Sequence, residues 1–533
     1  MFEARKRDSE ARRQSAINAT RRILERTTPE QLVKNKNENF KRLSLFRSFQ
    51  NHSRVIAHFD LDYFFVQAQL LRNPELRNRP VAAGSEMMIS TSNYVARKHK
   101  VKAAMPGVVA KQLCPDLVIL PLDFKLYSRL SAEFHSIMRS EGDHFSSGGI
   151  DEAYIDLTGR LEKFVDPKYI RCHAVSGSCP CRLPRLEDLV SDNDVYEEIS
   201  TKVCDFCGQE ETEYLVELHF PPTLPELIRF IRMRVLVELN LTCSGGCAPT
   251  YPVAKVCSDR NKPNGQTIVT SAEFQTFNLN SKLNVFWGIG PVTNEKLSAF
   301  GIETIQDAVD NIEKLNIILG SGQLDSLLAL MAGLNGPPYI DGPLNNPSGK
   351  SCINDSDEYT VGHESTFTSS ADPEYISKRL EEVVEHAIHQ ASKEAKVTSA
   401  ISLKIKYEDY SIHTRNQGVP SLPFTDKEHI FMICSSMLEK SLGASIRLLG
   451  VRFTISSNDT KLKKTKIQSR LLFENRKSTD KKSDDEIEVL EFTNCSKLKN
   501  ERKKNPEDTI SEDEAVRELL DIKNPKRKKL SND

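Results

Sequence analysis

The chain holds a single tryptophan in 533 residues, and aromatic residues make up 7% of it. No run of about 18 uninterrupted apolar residues occurs, so no membrane span is expected. The opening residues Met1-Phe2-Glu3-Ala4-Arg5-Lys6-Arg7 contain no apolar core, which argues against a secretory leader. An excess of one charge is also missing: 73 Lys and Arg meet 74 Asp and Glu, for a net charge of −1. Bulk electrostatics therefore do not point to a polyanionic partner. Twelve cysteines scattered through so long a chain predict reduced thiols rather than a disulfide framework.

The charge that is present is unevenly placed. Residues 1–50 hold 13 Lys and Arg against 6 Asp and Glu, and the chain ends in a basic run. The length predicts about three or four domains. Residues 8–38 predict helix, restarted at Thr27-Thr28-Pro29-Glu30. This segment is either a solvated basic arm or a clasp lying along nucleic acid. Val55–Asp62 predicts a short apolar strand ending on Asp60 and Asp62, and Ile150–Leu157 a second strand opening on Asp151 and Glu152. Thr223–Leu239 predicts an amphipathic helix. Thr223 and Glu226 are placed for a capping box, and Leu224, Leu227, Ile228, Ile231 and Val235 share one face.

Residues 160–222 interrupt this pattern as an acidic insertion containing Cys and Pro. Residues 273–335 predict a compact helical unit, followed by a Gly/Pro/Asn/Ser-rich linker from Gly333 to Ser356. Residues 357–456 predict a further α+β unit: helix Pro373–Ser392, strand Ala400–Tyr407, helix Asp426–Leu442 and strand Ile446–Ile455. Residues 457–533, rich in Lys, Glu, Asp, Ser and Asn, predict disorder.

Carboxylates at the ends of apolar strands are costly unless they meet a cation or a strong donor. Strand-end Asp residues that merely face water would explain either pair alone, but not both pairs together with phosphate-binding residue types. Magnesium suits such groups, because it takes a few carboxylate oxygens plus substrate phosphates. A pair of ions can activate an attacking 3′ oxygen and stabilise a pyrophosphate leaving group.

Phe59-Asp60-Leu61-Asp62-Tyr63-Phe64-Phe65 resembles the first catalytic motif of Y-family DNA polymerases, and Ile150-Asp151-Glu152-Ala153-Tyr154 resembles their second. Between them, Ser90-Thr91-Ser92-Asn93-Tyr94-Val95-Ala96-Arg97-Lys98 is similar to the family's finger segment, with Ala104–Gly107 and Lys111–Pro115 following in the family's order. Ala254–Gln266, which contains Cys257-Ser258-Asp259-Arg260-Asn261-Lys262-Pro263-Asn264-Gly265, resembles the kappa (DinB-like) branch. Gly149, Cys243–Pro249 and Tyr251–Val253 depart from the family pattern, at positions that touch palm packing more than the metal ligands.

The resemblance implies a right-hand architecture of mixed α/β and α+β domains. It comprises an N-terminal helical clasp (1–53), a palm (54–62 and 124–272, with the insertion 160–222) and fingers (63–123). A helix-hairpin-helix thumb (273–335), a little finger (357–456) and a disordered tail (457–533) complete it. It implies a translesion DNA-directed DNA polymerase acting on primer–template DNA and deoxynucleotides with two Mg2+ ions, Mn2+ being a substitute. Asp60, Asp151 and Glu152 would be catalytic and hold the ions with the Leu61 carbonyl, and Asp62 would not be a ligand. Phe64, Phe65, Thr91, Tyr94, Arg97 and Lys262 would bind the nucleotide. Tyr94 and Arg97 stand one helical turn apart, so both can reach the phosphates from one face. Phe65 is either ordinary aromatic core or the gate against a ribose 2′-hydroxyl, and the matching neighbours favour the gate.

Gly288 and Gly290 in Trp287-Gly288-Ile289-Gly290-Pro291 would let backbone amides approach a DNA phosphate. Lys404, Lys406, His413, Arg415, Arg447 and Arg452 would line little-finger strands facing the DNA backbone. Cys204-Asp205-Phe206-Cys207-Gly208 has the spacing of a zinc knuckle, with a second pair in Cys179/Cys181 or Cys172/His173; otherwise these are loop thiols. Gln468–Phe473 resembles a degenerate sliding-clamp motif, and Ile487–Leu490, flanked by acids, a SUMO-interacting motif. Pro525-Lys526-Arg527-Lys528-Lys529 reads as a nuclear import signal. Alternatives are another Y-family branch (eta, iota or deoxycytidyl transferase) and a non-catalytic DNA-binding scaffold at stalled forks.

Overall fold

The computed structural model describes residues 2–192, 194–334 and 358–456, and the chain divides into two compact units between Ser356 and Asp357. None of the described helices is long and apolar enough to cross a membrane, and every described cysteine is free.

The first unit is organised by a five-stranded sheet. Its order is Gln266–Ile268, Cys243–Ala248, Ile56–Leu61, Glu152–Asp156 and His144–Ser147. The central strand Ile56–Leu61 runs antiparallel to both neighbours, with Asp60 opposite Ser244 on one side and Glu152 on the other. Alternation sends Ala57, Phe59 and Leu61 into the core beneath helices Phe124–Glu141 and Leu224–Leu239. Ile56, His58 and Asp60 point to the opposite face. There helix Tyr251–Arg260 lies on the sheet, close enough that a Cβ on Gly246 would come within 2.1 Å of the Ala254 carbonyl oxygen. The Cys243–Ala248 strand, buried throughout, thus accepts a helix at glycine distance.

A three-stranded sheet (Ile89–Ser92, Val81–Gly84, Val118–Leu120) lies within the segment expected to form the fingers. The insertion is ordered as well, an antiparallel sheet of Lys168–Gly177, Glu210–Phe220 and Val195–Val203. Helix Leu224–Leu239 starts where expected, but Thr223 makes no side-chain cap and Glu226 pairs with Arg229 at 3.2 Å instead.

The N-terminal segment forms helices Phe2–Arg26 and Pro29–Arg47, the second capped by Thr28 on the Gln31 amide. It is not simply a solvated arm. Leu43 and Phe46 are buried in the core of helices between residues 271 and 331. Asn39 Nδ2 donates to the Ile312 carbonyl at 2.8 Å, Asn35 Nδ2 to the Glu313 carbonyl at 3.3 Å, and Arg42 pairs with Asp325.

The second unit is a four-stranded antiparallel sheet, ordered Glu358–Ser370, Ile446–Ser456, Val397–Tyr407 and Ile412–Pro423, with helices Pro373–Ala391 and Lys427–Glu439 on one face. Ile401, Leu403, Ile405, Leu449, Val451 and Phe453 turn toward the helices. Lys404, Lys406 and Arg452, of opposite parity, occupy the other face.

Because Leu43 is 1% exposed and joins the clasp to the thumb helices, Leu43→Ala should weaken that attachment by about 2–5 kcal/mol. Limited proteolysis should then cut faster near Thr27–Thr28 while thumb fragments appear at the original rate. Unchanged cleavage would show that this packing contributes nothing to holding the clasp.

Candidate active site

The central strand ends where the chain must reverse. Tyr63 takes a left-handed conformation (φ 37°, ψ 46°) and caps the short helix Phe64–Leu70, whose start carries two phenylalanines. A left-handed non-glycine residue is held only where the surroundings fix it. Here Gln67 does so: its Nε2 donates to the Asp62 and Thr242 carbonyls, and its Oε1 accepts from the Thr242 amide at 2.8 Å.

Asp60, Leu61, Phe64, Phe65, Thr91, Tyr94, Arg97, Asp151 and Lys262 all line one pocket at this strand tip, joined by Tyr63 and Ser90. Buried Asn93 pins the finger wall. Its Oδ1 accepts from the Ala96 amide (2.9 Å) and the Val81 amide (3.1 Å), fixing helix Tyr94–Lys98 on its neighbouring strand. Arg97 donates Nε to the Ser92 carbonyl at 3.0 Å and lies 4.8 Å from the Tyr94 ring centre. That leaves its two Nη groups as a cationic fork. Phe65 is half-buried, and its ring stacks on fully buried Tyr127 at 4.3 Å and 14°. Phe65 is thus both pocket wall and part of an aromatic cluster with Tyr127, Phe64 and Phe124.

The carboxylates are compensated in different ways. Asp60 accepts from Lys262 Nζ at 2.7 Å. Burial raises the Asp60 pKa, and Lys262 opposes the shift. Burial also works against the Lys262 charge, but Asp60 and Asp259 outweigh it and hold its pKa up. Asp151 is pushed up by burial and then by the neighbouring Glu152. Glu152 meets the Lys255 ammonium and faces His58 Nε2 at 3.4 Å. The His58 ring and then Lys255 hold its carboxyl down at about 2.

His58 is fully buried, which lowers its pKa. Its Nδ1 meets Ser258 Oγ at 2.7 Å, while Nε2 has no completed hydrogen bond. Atoms of His58, Asp60 and Glu152 that could ligate a metal lie within 4.8 Å of one another. The cluster offers mainly hard carboxylate oxygens, a donor set that fits magnesium.

Asp62 plays another part. Fully buried, it accepts from Ser244 Oγ (2.7 Å), Thr242 Oγ1 (2.9 Å) and the Asn264 amide (2.8 Å). Arg232, also buried, donates Nε to the Cys243 carbonyl (3.1 Å) and Nη2 to Asn264 Oδ1 (2.7 Å). Together they lock the loop that presents Lys262. Sequence reasoning assigned no role to His58, Lys255 or Arg232. The spacing of His58 two residues before Asp60, and of Lys255 within the Ala254–Gln266 motif, was the available signal.

Gly288 (φ 96°) and Gly290 lie in an exposed turn, and Gly290 caps helix Pro291–Ser298. Lys404 pairs with Glu364 at 2.8 Å, and Lys406 and Arg447 lie over the Tyr410 ring. Arg415 and His413 stand opposite Leu403 and Ile405, on the helix-covered side, and Arg415 donates to the Met437 carbonyl. They do not share the face of Lys404 and Lys406. Cys204 and Cys207 gather with Cys179 and Cys181, whereas Cys172 packs into the palm core and His173 faces Glu213 at 3.1 Å.

Residues 59–259 match the impB/mucB/samB family and residues 359–462 its C-terminal domain. The chain is 30% identical over 461 residues to DNA polymerase kappa of Caenorhabditis elegans, covering 84% of this chain and 74% of that protein. It is 29% identical over 438 residues to DNA polymerase kappa of Homo sapiens, covering 77% of this chain but only 49% of that protein, so it spans about half the length of the human relative. The fold resembles that of a Y-family DNA polymerase chimera, with a TM-score of 0.55 at 21% identity, over 75% of this chain and 99% of that one.

Asp62→Ala leaves two hydroxyls and one amide without their acceptor, which should cost about 1–3 kcal/mol of stability. Asp62→Asn should keep the magnesium concentration needed for half-maximal activity while raising the nucleotide KM. A shifted magnesium requirement in Asp62→Asn would instead make Asp62 a ligand.

Proposed function

Because the chain belongs to the DNA polymerase kappa family of Y-family polymerases, and with it to the DNA-directed DNA polymerases of translesion synthesis, we propose that the strand-tip pocket adds deoxynucleotides opposite damaged template bases and extends distorted primer ends. The gathering of Asp60, Asp151, Tyr94, Arg97 and Lys262 around one pocket carries this reading.

Phosphoryl transfer asks for positioning and charge neutralisation more than for covalent chemistry. The Arg97 fork and the Lys262 ammonium would take the β- and γ-phosphates, with the Tyr94 and Thr91 hydroxyls as neutral donors. Asp60, Asp151 and Glu152, with the Leu61 carbonyl, would hold two magnesium ions, or manganese in their place. Asp60 and Glu152 already hold cations, the ammonium groups of Lys262 and Lys255. When bound, the ions would acidify the primer 3′-hydroxyl and neutralise the leaving pyrophosphate. Lys262 would then exchange Asp60 for a triphosphate oxygen. Phe65, backed by Tyr127, would press on the sugar where a ribonucleotide carries its 2′-hydroxyl.

Primer–template DNA would be held without reading its sequence, by Lys404, Lys406, Arg447 and Arg452, by the Gly288–Gly290 turn and by the basic clasp. The clamp segment Gln468–Phe473, the SUMO segment Ile487–Leu490 and the basic Pro525–Lys529, which would direct the chain to the nucleus, lie outside the described residues.

Primer extension tests the chemistry. Asp151→Ala and Glu152→Ala should each lose at least ~100-fold in rate, about 2.7 kcal/mol, with primer–template affinity little changed. Near wild-type turnover in either variant would remove that carboxylate from the reaction. Phe65→Val should raise ribonucleotide over deoxynucleotide kcat/KM by at least ~10-fold, about 1.4 kcal/mol of lost discrimination. If Phe65 served packing alone, both activities would fall together and their ratio would stay fixed.

A further inference from the structure

The palm insertion is a thin sheet with little to bury. Its palm-proximal residues, Cys172, Ala174, Val216, Leu218 and Phe220, belong to the palm core. Strand Val195–Val203 is exposed along its whole length. At the distal end, the buried cluster among the described residues consists of cysteines alone: Cys179, Cys181 and Cys204, with Cys207 packed against them. A small module without its own core needs a staple.

We propose that Cys179, Cys181, Cys204 and Cys207 form a structural zinc site that closes the distal end of this insertion. The four sulfurs lie within 4.8 Å of one another, and those of Cys179 and Cys207 are 3.5 Å apart. A tetrahedral Zn–S4 centre with bonds of ~2.3 Å places sulfurs about 3.8 Å apart. All four converge on one shell, as ligands of a single ion would, rather than separating into two bonded pairs.

The backbone holds both ligand pairs in place. Cys204–Cys207 forms the turn between strands Val195–Val203 and Glu210–Phe220. Gly208, left-handed at φ 70° and with open space around its Cβ position, donates to the Cys204 carbonyl at 2.9 Å. The other pair follows strand Lys168–Gly177. The Cys181 amide points at Cys179 Sγ (3.4 Å), and the Cys179 amide donates to the Glu210 carbonyl at 3.4 Å. Arg185 donates to the Gly177 carbonyl at 2.7 Å and to that of Cys179. Four soft sulfur donors in a closed tetrahedron select zinc over magnesium or calcium. Such a site has no open position for substrate, so its role is structural. The module it closes reaches the catalytic loop, since Asn264 Nδ2 donates to the Asp188 carbonyl at 3.5 Å.

Full-length protein, exposed to zinc and freed of excess, should contain about one zinc per chain by elemental analysis. A mercurial titration followed with a zinc indicator should release that ion as these four thiols react. Cys204→Ser with Cys207→Ser should abolish the bound zinc and open the insertion to protease between residues 166 and 222, and His173→Ala should retain zinc in full. Metal-free wild-type protein, iron in place of zinc, disulfides joining these cysteines, or a full zinc complement in the double variant would each overturn the assignment. So would loss of zinc in His173→Ala. Should the double variant fail to fold, the zinc-to-thiol stoichiometry of the wild-type protein decides alone.

Discussion

Everything at the palm tip depends on keeping negative charge at the end of a buried strand. Asp60, Asp62, Asp151 and Glu152 lie within a few residues of a sheet whose other face is solid core, and carboxylates in such a place must be compensated. The chain compensates them in two ways. Asp62 is solvated inside the protein by two hydroxyls and a backbone amide. Asp60 and Glu152 are compensated by lysine ammonium groups on flexible stems. The hydrogen bonds to Asp62 shape the loop, whereas the lysine pairs would leave room for a cation on the proposed reading.

That division explains much of the surrounding packing. Gly246 lets helix Tyr251–Arg260 lie against the sheet, which brings Lys255 to Glu152 and Ser258 to His58. Arg232 reaches from the opposite layer to fix Cys243 and Asn264, so the loop bearing Lys262 is held from both sides of the sheet. Tyr63 reverses the chain immediately after the acids, and the helix that follows delivers Phe65 onto Tyr127. Asp60, Asp62 and the Phe65 ring therefore share one origin, the tip of strand Ile56–Leu61, and Tyr94, Arg97, Asp151 and Lys262 are brought to it from other segments.

The residues legible in the sequence were those with local signatures. Asp60 and Asp151 mark the ends of short apolar strands, Tyr94 and Arg97 sit one helical turn apart, and Lys262 lies in a distinctive motif; the structure gathers all five. His58 and Lys255 escaped notice because their roles arise from strand register and from a helix seated by a distant glycine. Arg415 shows the reverse failure. Its charge suggested a DNA-facing strand, but pairing with Leu403 sends it toward the helices. Within the insertion, strand Val195–Val203 gave no signal because it is exposed throughout and has no apolar face to alternate with, whereas the alternating Val216, Leu218 and Phe220 of strand Glu210–Phe220 were a signal left unread. The insertion's cysteine pairs, 22 residues apart between Cys181 and Cys204 when the intervening positions are counted, become neighbours only once that sheet forms.

On the proposed reading, the strand-tip carboxylates would exchange lysine for divalent cations when substrate is bound. Counting bound Mn2+ by electron paramagnetic resonance, with primer–template and a non-reactive nucleotide present, measures this directly. About two ions per chain are expected, with both lost when Asp60, Asp151 and Glu152 are changed together to their amides while nucleotide-free DNA binding persists. An unchanged ion count in that triple variant would contradict that reading.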